Sequence, residues 1–255
     1  MMVSLSVQLI FIVLLVAFNI EYGSQKQIID LTWDFEEKSI YWPGALQFNF
    51  TKKIASSRRG FWYASNEFQA AEHGGTHLDA PYHFDKEGWK VSDIPIQRFF
   101  ANAIMVDLSA KVETGGPDYT VDKKLLEDKL KAFEPIQNNT VLLIKYGWSK
   151  YWPDKAKYLR PDDEGLHFPG LSNNSATLIA NDGRFVGIAV DTASGDAGYS
   201  KNFEVHRILL GKRLYILENT KMTENIPDKT FSLVVAPMKL MEGTGAPVRI
   251  FAVIN

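Results

Sequence analysis

The stretch AEHGGTHLDAPYHF, residues 71–84, decides how the chain must fold around its chemistry. It gathers three of the five histidines, His73, His77 and His83, with Asp79 between the last two. Gly74, Gly75 and Pro81 exclude a helix, because consecutive glycines carry a high entropic cost and proline lacks the amide that a helix interior needs. The stretch therefore reads as a loop entering a short strand. Residues two apart on a strand face the same way, so His77 and Asp79 converge on one point, and His73 arrives from the glycine turn. Gly74 and Gly75 permit positive φ and close backbone approach, while Pro81 stiffens the exit. The pattern H-x3-H-x-D-x3-H arises by accident in roughly one in ten thousand chains of this composition, so it calls for a chemical reason.

Imidazole nitrogens with a carboxylate oxygen suit Zn²⁺, Mn²⁺ or Fe²⁺. The chain has no cysteine, which rules out a closed thiolate zinc site and favours an open, catalytic one. Two histidines and an aspartate would leave coordination positions for a water whose pKa falls towards neutrality. His83, with an ordinary pKa near neutrality, then suits the role of proton carrier between nucleophile and leaving nitrogen; its other readings are a fourth ligand or a core histidine. His206, on an expected helix, and Glu218, closing the strand RLYILEN (213–219), have bland readings by themselves: a satisfied helical histidine and a solvated carboxylate.

Outward from the cluster, IIDLTWDF (28–35) reads as a strand running into a turn, and Tyr41, Trp42, Pro43 and Gly44 punctuate the chain beyond it. Residues 59–69 are aromatic and lead directly into the histidines. Strands are expected at 103–108, 140–145, 185–191, 213–218, 231–236 and 248–254, and helices near 172–180 and 203–210. Val121, Leu125, Leu126, Leu130 and Phe133 predict one further helix over 120–133, with Thr120 as its cap and Pro135 as its stop. Long loops with Gly, Pro and Asp interrupt the βαβ alternation of a doubly wound sheet, so the fold class is α+β or α/β with a mixed sheet, in a single domain over 25–255.

With 45% hydrophobic and 23% charged residues in 255, the chain can bury a large core. A formal net charge of −2, without a basic run interleaved with aromatics, argues against nucleic acid as a partner. The apolar run LIFIVLLVAF (9–18) is short for a membrane span and is followed by Gly23 and Ser24, the shape of a signal peptide over residues 1–24, with a signal anchor as the alternative. Secretion without stable membrane insertion is the expectation. Sequons at Asn49, Asn138 and Asn173 fit that route, and a cysteine-free chain must draw its stability from core and metal.

HGGTHLDAPYHF (73–84), with Trp42, Pro43 and Gly44 upstream and the ending APVRIFAVIN (246–255), resembles the cyclase family of metal-dependent hydrolases, which contains bacterial-type kynurenine formamidase and isatin hydrolase. Tyr146, Gly147 and Trp148, then Pro169, Gly170 and Leu171, then Asp191, Thr192, Ala193 and Ser194, and finally Pro237 and Lys239 extend the match over about residues 27–255. The resemblance implies that His73, His77 and Asp79 bind metal, and that His83 is the catalytic acid and base. It also makes His206 and Glu218 the distal ligands of a two-metal arrangement bridged by Asp79. It implies Zn²⁺ or Mn²⁺, one or two per chain, a swivelling β/β/α fold, and a homodimer or higher oligomer. Phe61, Trp62 and Tyr63 would then line the pocket or a subunit interface, with plain core packing as the other reading. The activity implied is hydrolysis of an aryl formamide or a small cyclic amide as the small-molecule substrate. Hydrolysis or cyclisation of another carbonyl compound such as a lactone, and a secreted non-catalytic binding protein, are the alternatives.

Overall fold

Seven strands of a mixed sheet close on one another like the staves of a barrel, and that closure brings distant parts of the sequence to one point. The computed structural model describes residues 26–58, 60–227 and 229–254, so the expected leader over residues 1–24 lies outside the described residues. The strands are β1 (Gln27–Asp30), β2 (Asn49–Arg58), β3 (Phe61–Gln69), β4 (His77–Asp79), β5 (Phe100–Asp107), β6 (Thr120–Val121), β7 (Thr140–Lys145), β8 (Gly170–Leu171), β9 (Phe185–Val190), β10 (Tyr215–Glu218), β11 (Phe231–Pro237) and β12 (Gly245–Ile254). The helices are α1 (Ser109–Gly115), α2 (Lys123–Leu130), α3 (Lys155–Leu159), α4 (Asn173–Asp182) and α5 (Glu204–Leu210).

The main sheet runs β1-β12-β11-β5-β7-β9-β10-β4, and β4 pairs back onto the start of β12 to close the ring. Strands β5, β7, β9 and β10 are parallel to one another, and the remaining pairings of this sheet are antiparallel. The apolar patterns follow from this. TVLLIK in β7 and FVGIAV in β9 are buried almost throughout, as central parallel strands covered on both faces must be. FSLVVAP in β11 alternates instead, as an antiparallel strand with one wetter face does. Odd and even positions sort into two cores. Ile104, Val106, Leu142, Ile144, Ile188 and Ile216 pack with Leu126, Ile179 and Leu209 of the helices. Ala103, Met105, Val141, Leu143 and Ala189 pack with Leu233, Val235 and Ile250.

The mixed-sheet, single-domain expectation holds, with three local corrections. The alternation of strand and helix is sustained across β5, β7, β9 and β10; short helices between Gly- and Pro-containing loops hid it. The single helix expected over 120–133 is divided: Thr120 and Val121 pair with Gly170 and Leu171 as β6 and β8, and Asp122, not Thr120, caps α2 by accepting from the Leu125 amide at 2.9 Å. A 3₁₀ turn, Lys131–Phe133, finishes that segment. The strand expected to run into a turn over 28–35 is β1, which ends at Asp30.

The third correction concerns residues 49–69, which form a β2–β3 hairpin whose second strand is exposed at every residue. Phe61, Trp62 and Tyr63 are 60%, 67% and 51% exposed, so they are not core packing, nor do they line the pocket of their own chain. Phe35, Phe48, Phe50 and Phe68 anchor the hairpin at its base, with Phe48 4.9 Å from both Phe35 and Phe50 between ring centroids. Among the described residues no helix is long and apolar enough to cross a membrane.

Candidate metal centre

Strand β4 is only three residues long, yet its two edges decide where the chemistry lies. On one edge it pairs with β10, which sets His77 directly opposite Glu218. On the other it pairs with β12, which sets Asp79 opposite Gly245. A Cβ on Gly245 would lie 2.5 Å from His73 Cε1 and 2.7 Å from the Leu78 carbonyl, so only glycine leaves room for the His73 ring beside Asp79. The preceding turn needs glycine too: Gly75 has φ +59°, and a Cβ on Gly74 would overlap the Tyr41 ring.

The remaining histidine comes from α5. Asp196, just ahead of that helix, accepts from the amides of Val205 at 3.0 Å and His206 at 3.1 Å, and from His206 Nδ1 at 2.6 Å. One carboxylate thus caps the helix and fixes the imidazole, leaving His206 Nε2 to face Asp79 Oδ2 at 3.2 Å and Glu218 Oε1 at 3.1 Å. His77 is set in the same way: its Nδ1 meets the Gly75 carbonyl at 3.0 Å, and its Nε2 faces Asp79 Oδ1 at 3.3 Å and Glu218 Oε2 at 3.4 Å. His73 presents Nδ1 to Asp79 Oδ1 at 2.6 Å and Nε2 to Thr244 Oγ1 at 2.8 Å. His77, Asp79, His206 and Glu218 are all at most 4% exposed.

His83 closes the 3₁₀ turn Pro81–His83 and lies over His73, with ring centroids 4.0 Å apart and planes 24° from parallel. His206 is 6.1 Å from it by the same measure. All six sequence-derived candidates therefore line one cavity of about 280 Å³. Trp42, Phe84 and Phe203 form its aromatic wall, with Trp42 5.7 Å and Phe84 5.6 Å from Phe203 between centroids.

Titration behaviour follows from this crowding. Burial pushes the Asp79 carboxyl up, but the His77 and His73 imidazoles and the hydrogen bonds from His206 and His73 overcome it and hold Asp79 well below the usual carboxylate range. Burial and the neighbouring Asp79 charge raise Glu218. Burial opposes protonation of His77 and His206, yet the carboxylates around them prevail: Asp79 and Glu218 lift His77 to about 9, and Asp196, Asp79 and Glu218 lift His206 well above its ordinary value. The cluster has a strong demand for positive charge. His83 goes the other way, since burial drops it to about 4 despite Asp79 nearby, so its imidazole is neutral at pH 7.

The donor set fits a divalent cation on geometry as well. Ligands at about 2.0–2.1 Å in a tetrahedron lie about 3.3 Å apart, and the four contacts of His77 and His206 with Asp79 and Glu218 span 3.1–3.4 Å. Asp79 and Glu218 each give one oxygen to the His77 side and the other to the His206 side. Donor atoms of His77, Asp79 and Glu218 lie within 4.8 Å of one another, as do those of His73, Asp79 and His83. Glu218, expected as a distal ligand with His206, thus also faces His77, at 3.4 Å against 3.1 Å for His206.

Sequence reasoning missed the residues that hold these donors. Asp196 sits in an ordinary-looking Ser-Gly-Asp loop. Gly195, whose amide donates to Glu218 Oε1 at 3.0 Å, and the pair Glu72 and Thr244 behind His73 carry no spacing signal either.

The family model described as "Putative cyclase" matches residues 29–197, and the chain belongs to this cyclase family. A kynurenine formamidase of Bacillus cereus is 28% identical over 221 residues, covering 87% of this chain and 94% of that protein. The isatin hydrolase of Roseibium aggregatum is 28% identical over 207 residues, 76% of each chain. Among solved structures, isatin hydrolase A from Ralstonia solanacearum matches with a TM-score of 0.82 at 25% identity, covering 96% of this chain and 97% of that one.

Proposed function

We propose that the chain is a divalent-metal-dependent hydrolase that opens the C–N bond of an aryl formamide or of a small cyclic amide of the isatin type. The observation that carries this reading is the meeting of two buried carboxylates and two buried imidazoles at 3.1–3.4 Å on the wall of a cavity that also holds a neutral His83. Relatives named kynurenine formamidase and isatin hydrolase support the substrate class.

His73, His77, Asp79, His206 and Glu218 would hold the cation, Zn²⁺ or Mn²⁺, one or two per chain. When bound, such a cation supplies Lewis acidity, polarising a carbonyl and lowering the pKa of water towards neutrality. His83 takes the proton of the attacking water and returns it to the departing nitrogen; its imidazole, stacked on His73 in the cavity wall, is neutral and so free to accept the first proton. Trp42, Phe84 and Phe203 offer flat apolar faces to an aryl group and exclude water from it.

Residues 1–24 act in this reading as a secretory leader, residues 25–255 as the working domain, and the protein as a homodimer or higher oligomer. The apolar run at 9–18 and the exposed Phe61 and Trp62 support these points. The test is turnover of N-formylkynurenine and isatin by leaderless protein with Zn²⁺ or Mn²⁺ restored, beside a chelator control. Chelator-sensitive turnover of either supports the reading. Bound metal with turnover of neither, but of a lactone or ester, moves the substrate; bound metal with no turnover at all leaves a binding protein.

A further inference from the structure

His73 differs from its neighbours in what stands behind it. His77 gives Nδ1 to the Gly75 carbonyl and His206 gives Nδ1 to the Asp196 carboxylate, so both must carry hydrogen on Nδ1 and turn Nε2 to the centre. His73 is reversed: Nδ1 points at Asp79, and Nε2 meets a hydroxyl, Thr244 Oγ1, at 2.8 Å. A hydroxyl can donate or accept, so the ring's tautomer depends on where the single Thr244 hydrogen goes.

Glu72 decides it. Its Oε2 lies 2.6 Å from Thr244 Oγ1 and also accepts from the Thr244 amide at 2.9 Å and the Gly245 amide at 3.3 Å. A carboxylate oxygen has no hydrogen to give. If Thr244 donated to His73 instead, two oxygens would face each other lone pair to lone pair at 2.6 Å. The hydroxyl therefore donates to Glu72 and accepts from His73 Nε2–H, which leaves Nδ1, facing Asp79, as the one nitrogen a cation would take.

We propose that Glu72 and Thr244 are positioning residues that hold His73 as an Nδ1 metal ligand, the reverse of the Nε2 presented by His77 and His206. The inference rests on the metal-centre reading. His73 Nδ1 lies 2.6 Å from Asp79 Oδ1, the length of a charge-assisted hydrogen bond in which Nδ1–H donates; a cation would take the place of that proton while Nε2–H stays on Thr244. The arrangement is built into β12, because Thr244 directly precedes the Gly245 that the His73 ring requires.

The test uses full-length mature protein with ¹⁵N-labelled histidine, in wild type, Thr244→Val, Thr244→Ser and Glu72→Gln. Long-range ¹H–¹⁵N correlation spectra with and without Zn²⁺ read the protonated nitrogen of each ring, and competition with a chromophoric chelator reads zinc affinity. The expected result is Nε2–H on His73 and Nδ1–H on His77 and His206 in zinc-loaded wild type. Zinc affinity should fall about 10–100-fold in Thr244→Val and stay within about threefold in Thr244→Ser, which keeps the hydroxyl. Glu72→Gln should also weaken binding, because its amide can donate to Thr244 and free the hydroxyl to donate to His73. Nδ1–H on His73 in zinc-loaded wild type, or wild-type affinity in a folded Thr244→Val, overturns the proposal. A wild type whose five histidines all ignore Zn²⁺ instead overturns the metal centre itself, a distinct outcome.

Discussion

His77 and Glu218 stand directly opposite each other across the antiparallel β4–β10 ladder, and Nε2 of one reaches to 3.4 Å from Oε2 of the other. Residues 141 positions apart in sequence thus meet as a cross-strand pair, the closest approach a sheet offers. Glu218 also faces His206, so it joins both halves of the cluster.

Glu218→Gln tests that junction. The substitution keeps volume and removes the charge that both imidazoles face. Metal bound per purified chain should fall, and kcat/KM at saturating metal should drop at least about 100-fold, consistent with the cost of losing a ligand or its orienting charge. Elemental analysis beside steady-state kinetics checks it; unchanged metal content would remove Glu218 from the ligand set.

His83→Ala separates proton carrier from ligand. As a carrier, its loss costs about 10²–10⁴-fold in kcat while metal content stays as in wild type. Parallel loss of metal would make His83 a ligand, the role its proximity to His73 and Asp79 also permits.

Asp191 predicts a stability effect away from the chemistry. Its carboxylate accepts from the amides of Tyr146 at 2.7 Å, Trp148 at 2.7 Å and Ser149 at 3.1 Å, tying β9 to the turn after β7. Asp191→Ala leaves three buried donors unsatisfied, at a cost of about 3 kcal/mol or more. Urea denaturation of the two proteins measures it; a difference below about 1 kcal/mol would contradict the role.

A pH effect is expected at the loop held by His167. The Asp162 and Asp118 carboxylates on either side raise its pKa, with Nε2 3.0 Å from Asp162 and Nδ1 hydrogen-bonded to Asp118 at 2.8 Å. Because the folded value lies above the unfolded one, the stabilisation is fully present below about pH 6.5 and is lost as pH rises through the folded value. The two aspartates are about half exposed to solvent, which keeps it small and local. Amide exchange of residues 162–167, corrected for intrinsic rates, should therefore quicken as pH rises through the His167 titration, and His167→Gln should abolish the effect.

Much of the site was legible because His73, His77, Asp79 and His83 are neighbours on a segment whose glycines and proline exclude a helix. Periodicity likewise placed β7 and β9 closely, since strands buried on both faces read as unbroken apolar runs. His206 and Glu218 were legible only through resemblance, because a register of pairing and a helix docked on a sheet leave no mark on spacing. Asp196, Glu72 and Thr244 left none at all: each acts through a hydrogen bond closed by tertiary structure. The β2–β3 hairpin escaped notice for a related reason, as its aromatic strand has no buried face to impose alternation.

The central claim is that hydrolysis depends on a cation held by this buried cluster, and the most direct measurement is a metal titration of chelator-stripped protein, following isatin and N-formylkynurenine turnover against Zn²⁺ or Mn²⁺ bound per chain. The account predicts no turnover in the stripped protein, a rise with bound metal, and saturation at one or two per chain. Turnover by the metal-free protein, or full occupancy with neither substrate nor any lactone or ester opened, would contradict it.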